Sequence, residues 1–272
     1  GWQDSSIRFY EKLDKNVKKK SVILKAHCSS VYLTKFTICD NFFLSGSING
    51  NLKFWSTKTK KLLLNYENFY DPVWDAAFSK KNSFFVTGGS NKSLLMWNSS
   101  QIYPLRIFKG HSSDINVVRW HPCDSVFASG SSDSLSFLWD IRSAKAIGKV
   151  ESYESSIHSL EFSPNGFEMA IAGLSNKIDF WDIRMNKLRK RIVDKLDKNM
   201  VTSLTYGKTD EVFAHTSENR NVKIFRNFFL KNFGLGNKKK KKIFKPILMP
   251  TKFNKIFQLR FNLRNRLMIL GT

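Results

Sequence analysis

No run of apolar residues in this sequence is long enough to cross a bilayer, and Gly1 to Lys20 lack the apolar middle of a secretory signal. The expectation is a soluble, intracellular chain with no membrane partner. Cysteine is scarce: Cys28, Cys39 and Cys123 are odd in number, and none sits in a Cys-x-x-Cys or Cys/His ligand spacing. That excludes a disulfide framework and a structural zinc site, and the three read as buried thiols of a reducing compartment. A Gly-rich phosphate loop, a metal-ligand cluster and a carboxylate pair in a helical context are also missing, so no cofactor and no metal are expected. Acidic residues are few, 22 against 45 Lys and Arg, for a net charge of +23. A field of that size attracts polyanions. Equally, abundant Lys, Asn, Phe and Ile together are what drift toward AT-rich codons leaves on tolerant surface positions. Only the clustering of charge separates the two.

What is present begins with a period. Trp55, Trp97, Trp139 and Trp181 follow one another at intervals of 42 residues, and Phe225 comes 44 later. Each closes a short β-rich run: LKFW, LLMW, SFLWDI, IDFWDI, VKIF. A period of about 40–45 residues, with Gly-His near its start and Trp-Asp near its end, is the signature of a WD-repeat β-propeller. With 42% hydrophobic residues and 24 Phe, the chain has ample material for a core. The expected fold is all-β, built of four-stranded antiparallel blades, with residues 1–272 as one domain.

The finer pattern repeats too. Val31/Thr34/Phe36, Val73/Ala76/Phe78, Ile115/Val118/Trp120, Ile157/Leu160/Phe162 and Val201/Leu204/Tyr206 share the spacing V-x-x-V-x-F. A strict strand alternates by two, so the extra residue predicts a bulge in the innermost strand. Next come small-residue strands, FFLSGS, FFVTGG, VFASGS, EMAIAG and VFAHTS, whose Gly and Ser suit a crowded interior. A polar turn, the Trp strand and an outer stretch such as PLRIFKGH complete each repeat.

One repeat carries His111, Ser129, Asp133 and Trp139, residues able to form a buried hydrogen-bond chain from the indole through Ser and His to the Asp on the turn. The same positions read His27, Ser45, Asn49 and Trp55, then Phe69, Thr87, Asn91 and Trp97. Two later repeats have lost the pattern, with Tyr153, Ile171, Ser175 and Trp181, then Asp197, His215, Asn219 and Phe225. Apolar spacing outlasts the polar network, as expected if packing carries most of the stability. Ser129, His111 and Asp133 imitate a hydrolase triad. Degraded copies in sister repeats and the lack of a strand-to-helix nucleophile turn argue against it, so no catalytic residue is assigned.

Two strands from the N-terminal segment (SSIRFY, SVILK), four from each of five repeats and two from the C-terminal segment (KIFQLRF, RLMILGT) make 24, six blades' worth. The end Ile269-Leu270-Gly271-Thr272 and the start Gly1-Trp2-Gln3-Asp4-Ser5 continue one another as a repeat would. Either the closing strands in 255–272 complete a six-bladed ring, or a longer parent supplies four more upstream strands for seven. The missing initiator Met fits a fragment.

The stretch YPLRIFKGHSSDINVVRWHPCDSVFASGSSDSLSFLWDI resembles the WD-repeat region of the TFIID subunit five family, TATA-binding-protein-associated factors of the general transcription machinery. DPVWDAAFS with SFFVTGG, IHSLEFSPNGF, and the C-terminal PTKFNKIFQLRFNLRN extend the likeness over essentially the whole chain. The last element lies outside any WD consensus. The resemblance implies a seven-bladed propeller, preceded in that family by α-helical domains absent here. It also implies a non-enzymatic nuclear scaffold contacting histone-fold subunits during assembly of TFIID and, in some organisms, of the SAGA coactivator. Departures are the lost His, Asp and Trp positions, turns thinned to Asn49, Asn91 and Asn219, and the run Lys238, Lys239, Lys240, Lys241, Lys242.

A scaffold in RNA processing or ribosome biogenesis, touching RNA directly, is the other class of reading. The lysine run is either a solvated loop or a nuclear-import or nucleic-acid patch. The bulge positions Tyr32, Trp74, Asn116, His158 and Thr202 are either rim packing or a partner-binding mouth of the central channel. Tyr32 and Trp74 are the stronger candidates, since aromatics are enriched at interface hot spots. Nucleic acid is expected to bind weakly and non-specifically at most.

Overall fold

The computed structural model describes residues 5–10, 21–66, 71–81, 83–151, 155–193, 199–208, 212–218, 221–226, 246–251, 256–261 and 267–271. Regular structure among them is entirely β: 24 strands and no helix, in five four-stranded antiparallel sheets and two two-stranded ones. Fold class and strand number match the sequence expectation. The chain packs as two compact units, Gly1–Trp120 with Ile141–Lys145, and His121–Asp140 with Ala146–Thr272.

In the first unit β1 (Ser6–Tyr10) pairs with β2 (Ser21–Lys25). One blade follows from β3 (Val31–Phe36), β4 (Phe42–Ser47), β5 (Leu52–Ser56) and β6 (Leu62–Tyr66). The next is β7 (Val73–Phe78), β8 (Phe84–Gly89), β9 (Ser93–Asn98) and β10 (Pro104–Lys109), with β11 (Ile115–Trp120) packed on β7 and β8. The second unit holds β12 (Val126–Ser131), β13 (Ser136–Asp140) and β14 (Ala146–Val150). It continues with β15 (Ile157–Phe162), β16 (Glu168–Gly173), β17 (Lys177–Asp182) and β18 (Lys187–Val193) as one blade. Another is β19 (Val201–Tyr206), β20 (Val212–Ser217), β21 (Asn221–Arg226) and β22 (Ile247–Pro250), and the pair β23 (Ile256–Phe261) and β24 (Leu267–Gly271) ends the chain.

Each blade runs from crowded to wet. The second strands are buried on both faces, which is why they read as small and apolar without alternation. Gly88 on β8 shows the crowding: a Cβ there would meet Ile115 Cγ2 at 2.6 Å and Val118 Cγ2 at 2.9 Å. The outer strands β6, β10, β14, β18 and β22 are largely exposed. Charge on β10 and β18 discourages pairing along those edges.

The core lies between blades. Leu33, Leu44, Leu52 and Phe54 of one sheet meet Val73, Ala76, Phe78 and Phe85 of the next, with Phe54 and Phe78 ring centroids 6.2 Å apart. In the second unit Ile178 and Phe180 meet Leu204, Tyr206 and Phe213, and Phe180 stands edge-on to Phe213 at 5.1 Å. The expected bulges occur in the inner strands: the register skips Tyr32, Trp74, His158 and Thr202, and also Phe257.

Just after the bulge lies a device that the sequence reading missed. Asp75, Ser159 and Ser203 occupy equivalent positions, and each accepts a backbone N–H from the next inner strand: Val118 N at 3.2 Å, Leu204 N at 3.0 Å and Leu259 N at 3.1 Å. Without these acceptors the donors would be buried unpaired. Asp75 also pairs with Lys35 Nζ at 2.8 Å on one side and with the Arg119 guanidinium on the other. Burial alone would raise its pKa, but Lys35, Arg119 and the Lys35 and Val118 hydrogen bonds outweigh that and hold it at about 2.

The cysteines differ from expectation: Cys28, Cys39 and Cys123 are all exposed. They lie in connections between strands, where side chains face water. The Thr37 hydroxyl, 3.5 Å from Cys39 Sγ, draws that thiol's pKa below its usual value.

Asp75→Ala is expected to cost about 3–5 kcal/mol in urea unfolding, because Lys35 and Arg119 lose their shared partner. The folded pKa is depressed from 3.8, so the carboxylate's contribution is complete above pH 3.8 and disappears as pH falls through about 2. An Asp75→Ala protein as stable as the parent at pH 7 would remove this residue from the interblade bonding.

Candidate functional site

The polar network survives where its acceptor survives. Trp55 Nε1 donates to Ser45 Oγ at 2.9 Å, and His27 Nε2 lies 2.7 Å from the same oxygen, all three buried. In the repeat of Trp139 the indole donates to Ser129 Oγ at 2.8 Å, with His111 also buried. Trp97 donates to Thr87 Oγ1 at 3.1 Å. Phe69, Tyr153, Asp197 and Asn219 lie outside the described residues.

The fourth position serves the turn in three of the four repeats where it is described. Asn91 Oδ1 accepts Ser93 N, Asp133 Oδ1 accepts Leu135 N, and Ser175 Oγ accepts Lys177 N. These are side-chain-closed turns. Asn49 does not complete the His27 chain: it is exposed, its backbone N–H goes to Ser47 Oγ at 3.3 Å, and His27 Nδ1 has no hydrogen-bond partner. A neutral amide lacks the charge that draws a carboxylate to an imidazole N–H, so this network has three members.

Where the acceptor is lost, the aromatic finds other contacts. With Ile171 in place of Ser, Trp181 Nε1 donates instead to Asn186 Oδ1 in the β17–β18 turn at 3.2 Å. With His215 there, Phe225 stacks on the imidazole at 5.6 Å and 18°.

His27 is held neutral. Burial, then the nearby Lys53 ammonium, lowers its pKa from 6.5 to about 4. Ser45 and Ser129 are fully buried, which places both hydroxyls out of a substrate's reach. Among the described residues no His, Cys, Asp and Glu gather as a metal site.

The rim candidates sort themselves. Tyr32 is 56% exposed, and Trp74, half-buried, meets it edge-on with ring centroids 5.9 Å apart. Asn116 is half-buried on β11 and His158 is exposed on β15. Thr202 is half-buried, its hydroxyl 2.8 Å from that of Thr216. Of these five, the structure brings Tyr32 and Trp74 together in one aromatic pair. The run Lys238 to Lys242 lies outside the described residues.

Residues 18–56, 60–98 and 102–140 each match the WD domain, G-beta repeat family. These three segments, within residues 18–140, are WD repeats. No curated protein matches it. The repeats are offset from the sheets: residues 60–98 begin with β6, the outer strand of one blade, and end with β9, the Trp strand of the next. Each sequence repeat thus ties two blades covalently. WD-repeat domains typically act as non-enzymatic surfaces for protein partners, and this site has the build of such a surface: a rigid buried frame with aromatics on its bulges.

His27→Ala should lower stability by ~1–3 kcal/mol, since Ser45 loses a buried partner. Because the folded pKa lies below 6.5, the neutral ring's contribution is complete above pH 6.5 and is lost as pH falls through about 4. Thermal melting across that range should be flatter for His27→Ala than for the parent. Identical pH dependence would show that His27 does not report this burial.

Proposed function

We propose that the chain is a non-enzymatic assembly scaffold of the general transcription initiation complex TFIID, and of a SAGA-type coactivator where the two share it. On this reading it works in the nucleus, and its direct partners are histone-fold TATA-binding-protein-associated factors. The observation that carries the reading is the likeness of the stretch around Trp139, together with PTKFNKIFQLRFNLRN, to the TFIID subunit five family. The surface offered to a histone-fold pair is the bulge end of the first unit. There an exposed Tyr32 braced by Trp74 presents a rigid apolar face with one polar tip, the composition of an interface anchor.

The net charge of +23 supports weak nucleic-acid contact besides, which counterion release makes steeply salt-dependent. Packed protein contacts survive salt better.

The test mixes the purified chain with a histone-fold pair and, separately, with duplex DNA and RNA at low and moderate ionic strength. Tyr32→Ala and Trp74→Ala are each expected to weaken protein binding by roughly tenfold or more, the range of a hot-spot truncation, with the Tyr32→Ala melting temperature unchanged. Tight, salt-resistant RNA binding with no histone-fold binding would replace this reading with the RNA-processing scaffold.

A further inference from the structure

The two ends of the blades in the first unit differ in charge. In an antiparallel blade taken up in chain order, the first and third turns emerge at one end, and the second turn and the interblade connection at the other. Neighbouring blades keep the same sense here, because Tyr32 meets its equivalent Trp74, and Asp75 is level with Lys35 and Arg119. Arg106, near the start of β10, binds Ile141 O at 2.9 Å and Arg142 O, which fixes residues 141–145 beside the first-and-third-turn end.

That end carries Lys58, Lys60, Lys61, Lys80, Lys81, Arg142 and Lys145 in its described connections, against one acid, Asp40. The opposite end carries Lys92 against Asp71 and Asp114, with Lys25 and Lys109 at the adjoining strand ends. Codon drift acting on tolerant positions would load both ends alike, since both consist of solvent-facing turns. The basic end also bears large exposed side chains: Ile38 at 60%, Tyr103 at 67%, and Ile102 and Phe36 among them. Two of these four are aliphatic and offer no ring for base stacking, so the mixture suits a chain of carboxylates and apolar side chains better than a nucleic-acid strand.

We infer that this end of the first unit is a second interaction surface, and that it takes an acidic protein segment interleaved with apolar residues. Lysines around the rim supply attraction and orientation, and Ile38, Ile102 and Tyr103 supply area to bury. This surface lies opposite the Tyr32–Trp74 pair and does not depend on the partner proposed for it.

The test uses fluorescence anisotropy with a labelled synthetic peptide of alternating Glu/Asp and Leu/Phe, and the full chain. Lys58→Glu, Lys61→Glu and Lys81→Glu combined should weaken binding by about tenfold or more, because three attractions become repulsions. The matched triple Lys25→Glu, Lys92→Glu, Lys109→Glu at the other end should change it by no more than about twofold. Replacing Leu/Phe by Ser in the peptide, or Ile38 and Tyr103 by Ser in the protein, should also weaken it. Circular dichroism and melting temperature check that each variant is folded. No binding by the native chain, equal loss from both triples, or tighter binding of duplex DNA or single-stranded RNA of equal charge would each overturn the inference. None of these variants touches Tyr32 or Trp74, so failure here and failure of the TFIID reading are separate results.

Discussion

A four-stranded sheet with apolar side chains on both faces cannot shield either one by itself, and the face-to-face packing of successive sheets is the constraint that shapes the rest of this chain. Leu33, Leu52 and Phe54 are buried only because Val73, Phe78 and Phe85 cover them. Each such side chain contributes roughly 1.5–3 kcal/mol when fully buried, so a layer of this size outweighs any single hydrogen bond in it. Packing two sheets this closely forces small residues onto the second strand, as at Gly88. It also leaves inner-strand backbone donors facing a neighbour instead of water, and Asp75, Ser159 and Ser203 supply the acceptors they need.

That ranking of energies accounts for how the repeats have diverged. A lost Ser at position 171 removes one acceptor, a change on the order of 1 kcal/mol if the donor finds another partner. The Trp181 indole does so at Asn186, while the apolar spacing of Ile178 and Phe180 stays intact and keeps its layer with Phe213. Turn closure is equally tolerant. Asn91, Asp133 and Ser175 all close the same turn, since any short side chain with an oxygen two residues upstream can accept the N–H. In the repeats matched by the family model the indole keeps its hydroxyl acceptor; in the next the Trp181 indole turns to Asn186, and in the last Phe225 replaces the indole, yet all form the same sheets.

Period and strand type were legible because they follow from spacing alone: Trp at every 42 residues places the third strand, and one extra residue between apolar positions places the bulge at Tyr32, Trp74, His158 and Thr202. What escaped was chemistry across blades. Asp75 sits in sequence between apolar neighbours with no opposite charge within four residues, and its partners Lys35 and Arg119 lie about one repeat away on either side. One signal was available, since Asp75, Ser159 and Ser203 share a register position otherwise held by Leu33 and Val117, and a polar side chain recurring there requires a buried donor. The thiols were misplaced for the opposite reason. Cysteine's average tendency toward burial gives way here to position, since all three lie between strand patterns, where residues belong to turns.

Charge is the property on which sequence alone is silent and placement speaks. A lysine in a list of 45 basic residues carries no address, and composition is the same for a chain whose surface has drifted as for one whose surface was selected. Folding assigns the address through topology. The two ends of the first unit are built from the same kinds of turn, exposed to the same solvent and free to accept the same substitutions, so each serves as the other's control. Seven basic residues against one acid at one end, beside one against two in the described connections at the other, is the asymmetry on which the second surface rests. The end that stayed near neutral is the one that carries Tyr32 and Trp74. Desolvating lysines around an aromatic anchor would oppose its burial, whereas at the far end of the blades the same lysines act at the rim of a contact, where charge steers and orients at little cost.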